Sequence, residues 1–327
     1  MKAWLLDSIG SLDHLHLGEA PDPTPGAEEA VLDVEFAALN PADRFLAEGQ
    51  YPARPPLPHV LGRDAIGTVV AVGQGVEGVS EGDRRLVLRT EVGVTRRGTF
   101  AERVAVPVAS LVEPPTGWSA EQAAAAPLVY LTAYQALTTW GELKPGVVLV
   151  TGASGGVGVA SVQLARGMGH TVIALSRNPQ KAERLEQLGA HRVFDPNDAE
   201  WTRELTEALR GRRVDLAVDN IGGPLFTTVL ETLGEHGRVS CVGRLAGPVP
   251  AFNTASLFFR RLKIGGVAVG AYTPGEAREA WTTVLTLLDA TGARPLVDSV
   301  WEFGRLPEAF ERLAQGPMGK VVLRVKG

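Results

Sequence analysis

The sequence predicts an α/β protein in which a doubly wound, parallel-sheet domain is joined to a second, mostly β domain. Three features carry this prediction. The first 110 residues contain short β-branched runs separated by Pro and Gly, which is typical of antiparallel strands joined by turns. From Ser119 the composition changes to Ala-rich and Leu-rich helical sequence. Beyond that point, short apolar strand patterns alternate with helical patterns, as expected of a parallel sheet covered on both faces.

The strand candidates of the parallel sheet share a length of four to eight mostly apolar residues, and they are 147–151, 171–175, 192–195, 215–219, 238–243 and 263–270. Helical patterns fill the gaps between them, for example at 157–169 and 179–189. The tail adds a helix over 275–291 and a closing strand in the segment GKVVLRV. We expect that last strand to rejoin the first domain.

The composition of the chain argues against several classes of function. The chain has 327 residues, enough for about two domains, with 45% hydrophobic and 21% charged residues. The net charge of −5, without a Lys/Arg run, argues against nucleic-acid binding. One cysteine, Cys241, excludes an internal disulfide, and no apolar run is long enough to predict a signal peptide or a membrane span. We therefore expect a cytoplasmic enzyme with no membrane partner.

The segment VVLVTGASGGVG, residues 147–158, has three interpretations. A dinucleotide-binding turn fits best, because the glycines follow an apolar strand and lead directly into a helix. Without Cβ atoms, Gly152, Gly155, Gly156 and Gly158 let backbone N–H groups approach a pyrophosphate at the helix N-terminus. This predicts a Rossmann domain.

Two enzyme classes compete for the same glycines. G-x-S-x-G would make Ser154 a hydrolase nucleophile, and Asp219 and His236 follow in the required order. His236, however, belongs to a turn predicted to be solvated, and four glycines crowd the motif. A short-chain dehydrogenase would need a Tyr-x-x-x-Lys pair, which no tyrosine of this chain provides.

The end of the second strand indicates the cofactor. An NAD-binding domain carries Asp or Glu there, about 20 residues beyond the glycines. Here the strand ends in Ser176 and Arg177, with Lys181 following in the next helix. A hydroxyl and two cations suit a 2′-phosphate, so we expect NADPH rather than NADH.

Further segments extend the comparison to the whole chain. ALNPADRFLAEGQYP, PHVLGRDAIGTVVAVGQGVEGVSEGDR, AAAAPLVYLTAYQAL, GASGGVG, VDLAVDNIGG and GKVVLRV together resemble the medium-chain dehydrogenase/reductase superfamily, and within it the zinc-free quinone oxidoreductase (zeta-crystallin-like) branch. Zinc-dependent members carry a catalytic cysteine where this chain has Asn40, and a His-Glu pair where it has Arg63 and Asp64. We therefore expect no metal site.

The resemblance implies a GroES-like catalytic domain over residues 1–124 and 268–327, with a Rossmann NADP-binding domain over 125–267. It also implies a homodimer joined in part by the edge strand KIGGVAVG. The implied cofactor-binding residues are Asn40, Thr132, Gly152, Ala153, Ser154, Gly155, Gly156, Val157, Gly158, Ser176, Arg177, Lys181, Asn220, Gly243, Val269 and Lys320.

We hypothesise that NADPH passes a hydride to a quinone or to the β-carbon of an enone. Tyr51 is the preferred proton donor, with Asn40 and Arg44 as the other catalytic candidates. Two alternatives stay open: an enoyl or alkenal double-bond reductase of the same superfamily, and a non-catalytic NADPH-binding or RNA-binding relative.

Overall fold

The computed structural model describes residues 1–88, 91–141, 144–248 and 251–326. They form two compact units. The β-rich unit comprises residues 1–128, 270–281 and 294–327, and the α/β unit comprises 129–269 and 282–293. The predicted fold class is confirmed, since one unit carries antiparallel and mixed sheets and the other a parallel sheet.

The strands, in chain order, are β1 Lys2–Leu6, β2 Leu15–Glu19, β3 Glu29–Ala38, β4 His59–Val60, β5 Asp64–Val72, β6 Arg84–Val87, β7 Arg103–Pro107, β8 Leu111–Val112, β9 Val147–Val150, β10 Thr171–Leu175, β11 Arg192–Phe194, β12 Val214–Asp219, β13 Leu233–Cys241, β14 Lys263–Gly266, β15 Val297–Glu302 and β16 Lys320–Arg324. The helices are α1 Pro41–Ala47, α2 Ala120–Ala124, α3 Pro127–Thr138, α4 Gly156–Gly167, α5 Ala182–Leu188, α6 Trp201–Ala208, α7 Leu225–Thr232, α8 Ala255–Arg260, α9 Pro274–Thr291 and α10 Leu306–Ala314. Short 3₁₀ helices cover Leu12–His14, Val108–Ser110, Pro179–Lys181, Val269–Ala271 and Phe303–Arg305.

The β-rich unit is built on a sheet in the order β15-β16-β3-β5-β6-β8, with β7 also paired to β3. A smaller sheet, β2-β1-β4, accompanies it. β16 pairs antiparallel with β3 and parallel with β15, so the last strand of the chain lies beside one of the first, as expected. Phe100 and Phe310 meet edge to face in the core of this unit, with ring centroids 6.0 Å apart.

The α/β unit holds a six-stranded sheet in the order β11-β10-β9-β12-β13-β14. Every neighbouring pair is parallel. The central strands β9, β10 and β12 are almost wholly buried, which explains why they are mostly apolar rather than alternating. The order reverses between β9 and β12, because the chain builds outward from β9 to β11 and then from β12 to β14 on the other side.

The strand expected over 263–270 is shorter than predicted. β14 ends at Gly266, and a 3₁₀ turn follows over Val269–Ala271. The last residue pair of the β13–β14 ladder is Cys241 with Gly266, and β13 itself ends at Cys241. The apolar sequence continues beyond Gly266, but β13, the strand with which β14 pairs, has already ended, so β14 ends as well.

Candidate functional site

The predicted cofactor residues of the α/β unit gather at one edge of its sheet. The carboxyl ends of parallel strands lie on the same side, and β9, β10, β12 and β13 all end there. The glycine-rich turn follows β9, Ser176 follows β10, Asn220 follows β12 and Gly243 lies two residues beyond β13. The turn and Asn220 flank the point where strand order reverses, which is the place where open α/β sheets bind ligands.

The glycine-rich turn has glycine where the backbone requires it. Gly152 has φ +57, the left-handed region that glycine enters without a steric penalty. A Cβ on Gly158 would lie 2.3 Å from the carbonyl oxygen of Gly152 and 2.6 Å from the Ala153 Cα. The first turn of α4 therefore packs directly on the backbone of residues 152–153, and only a glycine at position 158 allows it.

The start of α4 is a candidate anion site. Gly155 is the N-cap of α4, and Gly156, Val157 and Gly158 form its first turn. The N–H groups of a first helical turn have no intrahelical acceptor, and the helix dipole makes that end positive. Ser154 is half-buried in the same turn, whereas Ala153 is buried and its N–H donates to the Leu175 carbonyl at 3.1 Å. The N–H groups in the first turn of α4 are thus candidate hydrogen-bond donors to an anion.

A buried hydrogen-bond network fixes the neighbouring loop. Thr151 Oγ1 donates to Asp219 Oδ1 at 2.7 Å, and Asn220 donates its backbone N–H to Thr151 Oγ1 and its Nδ2 to the Thr151 carbonyl. The other end of the Asn220 amide, Oδ1, is buried and receives no donor from the residues that the structure describes. A buried acceptor without a donor is costly, so this atom fits a ligand that brings a hydroxyl or amide hydrogen.

The predicted 2′-phosphate residues lie together after β10. Ser176 is buried at the strand end, Arg177 is exposed, and Lys181 ends the following 3₁₀ helix. Arg177 has neither a hydrogen-bond partner nor an ion-pair partner among the described parts of the chain. Its guanidinium is therefore available to an anion from outside.

Three further residues predicted to bind the cofactor lie in different parts of the α/β unit or at its border. Thr132 lies half-buried on α3, and Val269 begins the 3₁₀ turn after β14. Gly243 approaches the loop after β12 so closely that a Cβ would lie 2.6 Å from the Asn220 carbonyl oxygen. Gly243 thus holds the end of β13 against Asn220, while the positions of Thr132 and Val269 leave their roles as predictions.

In the β-rich unit, Asn40 and Lys320 meet around a residue that sequence reasoning did not include. Lys320 Nζ donates to Asn40 Oδ1 at 2.6 Å and to Asp64 Oδ2 at 3.2 Å, and Asn40 Nδ2 donates to Asp64 Oδ2 at 2.9 Å and to the Ala38 carbonyl at 3.4 Å. All three side chains are buried. Both amide hydrogens of Asn40 are therefore already donated inside this unit.

The second catalytic candidate, Tyr51, is half-buried and paired with Arg63. Arg63 Nη1 donates to Tyr51 Oη at 3.2 Å, and the guanidinium carbon lies 4.6 Å from the centre of the tyrosine ring. On its other side, Arg63 Nε lies 3.5 Å from Asp43 Oδ1. Burial raises the pKa of Asp43 to about 6, although the charge of Arg63 opposes that shift.

The third candidate, Arg44, stands apart from these residues. Its Nε donates to Glu48 Oε1 at 2.6 Å, one helical turn along, and its side chain is 44% exposed. Among the described residues, it makes no hydrogen bond or ion pair with Tyr51 or Asn40. The structure thus brings Asn40 together with Lys320, and Tyr51 with Arg63, but leaves Arg44 on the surface.

The hydrolase alternative is wrong. His236 lies on β13 five residues before Cys241, roughly 16 Å from the edge where Asp219 and the glycine turn are found. Its side chain is exposed and faces Glu235 at 3.6 Å. The Asp219 carboxylate is engaged by Thr151 and by the backbone N–H groups of residues 221 and 222. These residues therefore form no Ser-His-Asp arrangement.

Sequence reasoning missed Asp43, Arg63 and Asp64 as parts of a polar cluster. The available signal was the pair Arg63-Asp64 inside the otherwise apolar segment VLGRDAIGT, where charges are expected only if they find partners. Their partners lie as far as 256 residues away along the chain, so no local pattern identifies them. In the described ranges, no group of three His, Cys, Asp or Glu residues has metal-site geometry, and no helix is long and apolar enough to cross a membrane.

Comparison with known proteins adds the family. Residues 26–116 match the alcohol dehydrogenase GroES-like domain, and residues 156–290 match the domain family described as zinc-binding dehydrogenase. The synaptic vesicle membrane protein VAT-1 homolog of Rattus norvegicus is 30% identical over 99% of this chain and 84% of its own length. The acryloyl-coenzyme A reductase of Sulfurisphaera tokodaii is 28% identical, covering 94% of this chain and 96% of that protein.

Two further similarities concern quinone oxidoreductases. The enzyme of Lama guanicoe is 28% identical over 100% of this chain and 98% of its own length. The crystal structure of the Escherichia coli enzyme complexed with NADPH superimposes with a TM-score of 0.89 at 26% identity, covering 99% of this chain and 100% of that one. The chain is thus an oxidoreductase that uses a nicotinamide cofactor and a small-molecule substrate. It belongs to the medium-chain dehydrogenase/reductase superfamily and is quinone oxidoreductase-like, as its sequence motifs predicted.

Proposed function

We propose that this protein is a zinc-independent NADPH-dependent reductase whose acceptor is a quinone or an α,β-unsaturated carbonyl compound. The observation that carries the proposal is the glycine-rich turn at the strand-order reversal. There the backbone packs too closely for any Cβ at position 158, and Asn220 Oδ1 is buried without a hydrogen-bond donor among the described residues. When bound, NADPH supplies the hydride from its nicotinamide ring. The protein positions the cofactor, excludes water and provides a proton.

The glycine-rich turn is proposed to bind the pyrophosphate of the cofactor. The residues proposed for it are Gly152, Ala153, Ser154, Gly155, Gly156, Val157 and Gly158. The dipole of α4 and the N–H groups of its first turn, residues 156–158, stabilise negative charge. The N–H groups of Ala153 and Gly155 are already donated to backbone carbonyls, so these two residues shape the turn. Asn220, Gly243, Thr132, Val269, Asn40 and Lys320 are the residues proposed for the rest of the cofactor.

Selection of NADPH over NADH is assigned to Ser176, Arg177 and Lys181. Arg177 supports this assignment because its guanidinium is exposed and unpaired within the described residues. A guanidinium binds phosphate oxygens through two parallel hydrogen bonds, which NADH cannot accept at this position. The strand end also lacks the acidic residue that would bind the ribose diol of NADH.

Tyr51 is the proposed proton donor. Its hydroxyl is half-buried and receives a hydrogen bond from Arg63, which leaves its own hydrogen available. Asn40 suits a positioning role better than a donor role, because both of its amide hydrogens are already donated. Arg44 remains a catalytic candidate, but its surface ion pair with Glu48 gives no support for a catalytic role.

The cofactor proposal is tested by titrating the purified protein with NADPH and NADH and following fluorescence. Replacing Arg177 and Lys181 together by Ala should weaken NADPH binding by about tenfold or more, the effect of losing charge-assisted hydrogen bonds, and leave NADH binding nearly unchanged. Arg184→Ala on α5 is the matched control, since Arg184 donates to Gln187 on an exposed face. Equal losses for both nucleotides would remove these cations from 2′-phosphate recognition.

The acceptor is identified by adding a quinone and an enone in turn and following the nicotinamide absorbance band. Oxidation by a quinone supports the reductase as proposed. The acryloyl-coenzyme A reductase relative favours an enoyl thioester as the second candidate, so acryloyl-CoA is included among the acceptors. Failure to bind either nucleotide would overturn the proposed function.

We also propose that residues 1–124 and 268–327 act as the catalytic domain, that 125–267 act as the NADP-binding domain, and that the protein is a homodimer. β14 is an edge strand of the α/β sheet, with one side paired to β13. Ile264 on β14 and the nearby Phe258 and Phe259 are exposed. A second copy pairing along β14 would satisfy the open edge and cover these side chains.

A further inference from the structure

Two arginines contact Tyr51, one at its backbone and one at its side chain. Arg54 holds the backbone of the loop after α1, donating to the carbonyls of Tyr51, Ala53 at 3.0 Å and Gly49 at 3.2 Å. Arg63 holds the side chain, through the contact of its guanidinium with the ring and through the 3.2 Å hydrogen bond from Nη1 to Oη. The phenol group is therefore placed by the fold rather than free to rotate as a surface residue.

The direction of the hydrogen bond between Arg63 and Tyr51 is fixed by chemistry. A guanidinium has five N–H donors and no acceptor, so at Tyr51 Oη it can only donate. The hydroxyl hydrogen of Tyr51 must then point elsewhere, and within the described residues no acceptor takes it. Arg63 thus leaves Tyr51 with one available function toward a ligand, that of a hydrogen donor.

Arg63 is itself held in place. Its side chain is 10% exposed, and Asp43, which is fully buried, lies 3.5 Å from its Nε. Asp43 in turn is fixed through Oδ2, which accepts the Asn40 N–H at 2.8 Å. A largely buried guanidinium that contacts both a tyrosine ring and a buried carboxylate has few alternative positions, so its hydrogen bond to Tyr51 is pre-organised.

We infer that Arg63 is a positioning residue for the reduction: it orients the Tyr51 hydroxyl as a proton donor and stabilises the phenolate left behind. This inference rests on the proposed function. The electron pair of the hydride forms a new C–H bond on the acceptor, and the π electrons that it displaces move onto the carbonyl oxygen. The Tyr51 O–H bond breaks, the proton goes to that oxygen, and the bonding pair stays on Oη, which lies 3.2 Å from Arg63 Nη1. Water then restores the proton.

The test is a double-mutant cycle with Tyr51→Phe and Arg63→Gln, in which kcat and KM are measured for the acceptor and Kd for NADPH. General acid catalysis contributes about 10² or more, so Tyr51→Phe should lower kcat by about a hundredfold. Loss of a charge-assisted hydrogen bond should make Arg63→Gln about tenfold slower. In the Tyr51→Phe background, Arg63→Gln should change kcat by less than about twofold, because the two residues act as one unit.

Three controls separate positioning from structure. Arg305→Gln is the matched variant, because Arg305 also stacks on an aromatic ring, Trp301 at 4.8 Å, and pairs with Glu308, and kcat should not change. Arg63→Gln should increase the solvent deuterium isotope effect on kcat, which a merely structural loss would not do. If Arg63→Gln alone fails to fold, Asp43→Asn with Arg63→Gln removes both charges of the buried pair and takes its place.

The outcomes are distinct. An equal loss from Arg63→Gln in both backgrounds overturns the inference and leaves the proposed reductase activity standing. Full activity of Tyr51→Phe while the wild type reduces a quinone overturns the inference and the role of Tyr51 as proton donor, but the reductase activity stands. A wild type that binds NADPH but transfers hydride to none of the acceptors overturns both. NADPH affinity within about twofold of wild type in every variant, together with the non-additive kcat values, supports the inference.

Discussion

Asp43 should make the protein less stable as the pH rises from 5 to 8, and Asp43→Asn should remove that dependence. Asp43 is fully buried on α1 and faces Arg63, with Asp64 and Lys320 also contributing to its electrostatic environment. Burial raises its pKa to about 6 from 3.8, and the charges of Arg63 and Lys320 compensate only in part. The folded state therefore holds the Asp43 proton more tightly than the unfolded chain does.

The sign and magnitude follow from these two pKa values. A carboxyl whose folded pKa is raised contributes its full stabilisation below the unfolded pKa, and that contribution is lost as the pH rises through about 6. A shift of this size corresponds to roughly 3 kcal/mol over the whole titration. Between pH 5 and pH 8, the same linkage relation gives a loss of roughly 1.4 kcal/mol in the free energy of unfolding.

The assay is urea unfolding of wild type and Asp43→Asn, followed by circular dichroism, at pH 5 to 8 in steps. The amide introduced by Asp43→Asn keeps an acceptor for the Asn40 N–H and cannot titrate, so the variant should gain on the wild type by roughly 1.4 kcal/mol across this range. The charge of Arg63 acts on Asp43 only when Asp43 is ionised, and its effect is already included in the folded pKa. Any further effect of the substitution on packing is an offset that does not depend on pH. A difference between the two proteins that stays constant from pH 5 to 8 would refute the reasoning.

Asp298→Asn is the matched control for this experiment. Burial favours the neutral form of Asp298, but hydrogen bonds from Arg312 at 2.6 and 2.8 Å and from the Met318 N–H hold its pKa below the ordinary value. Its stabilisation is present above the unfolded pKa and is lost as the pH falls through the lower folded pKa. The effect of Asp298→Asn should therefore be constant between pH 5 and 8, where that of Asp43→Asn changes.

Two further predictions concern the α/β unit. Gly158→Ala should weaken NADPH binding by about tenfold or more in a fluorescence titration, because its Cβ would lie 2.3 Å from the Gly152 oxygen and displace the turn. In the control Gly167→Ala, on the same helix, the Cβ meets only contacts of 3.4 Å or longer, so this variant should bind NADPH normally. Normal NADPH binding by Gly158→Ala would show that the turn does not bind the cofactor. Ile264→Glu on β14 should give a monomer by light scattering, while Val300→Glu on β15, an edge strand of the larger sheet of the β-rich unit, should stay dimeric. A dimeric Ile264→Glu, or a monomeric wild type, would contradict pairing along β14.

The sequence alone determined what depends on short stretches of chain. Apolar runs of strand length, alternating with helical patterns, specify a parallel sheet through burial on both faces, and the structure has all six predicted strands. The glycine-rich turn was equally predictable, since Gly152 and Gly158 meet a local backbone requirement within seven residues. The cations after β10 follow from the same logic, because the end of a strand fixes where Arg177 lies.

Only the tertiary structure decided the polar cluster of the β-rich unit. Lys320 reaches Asn40 because β16 pairs with β3, and Arg63 reaches Tyr51 because the loop after α1 folds back toward the start of β5. Such contacts join residues up to 280 positions apart, and their charges are compatible with burial only in the assembled unit. For the same reason the raised pKa of Asp43 could not be predicted: burial sets it, and burial is a property of the packed fold.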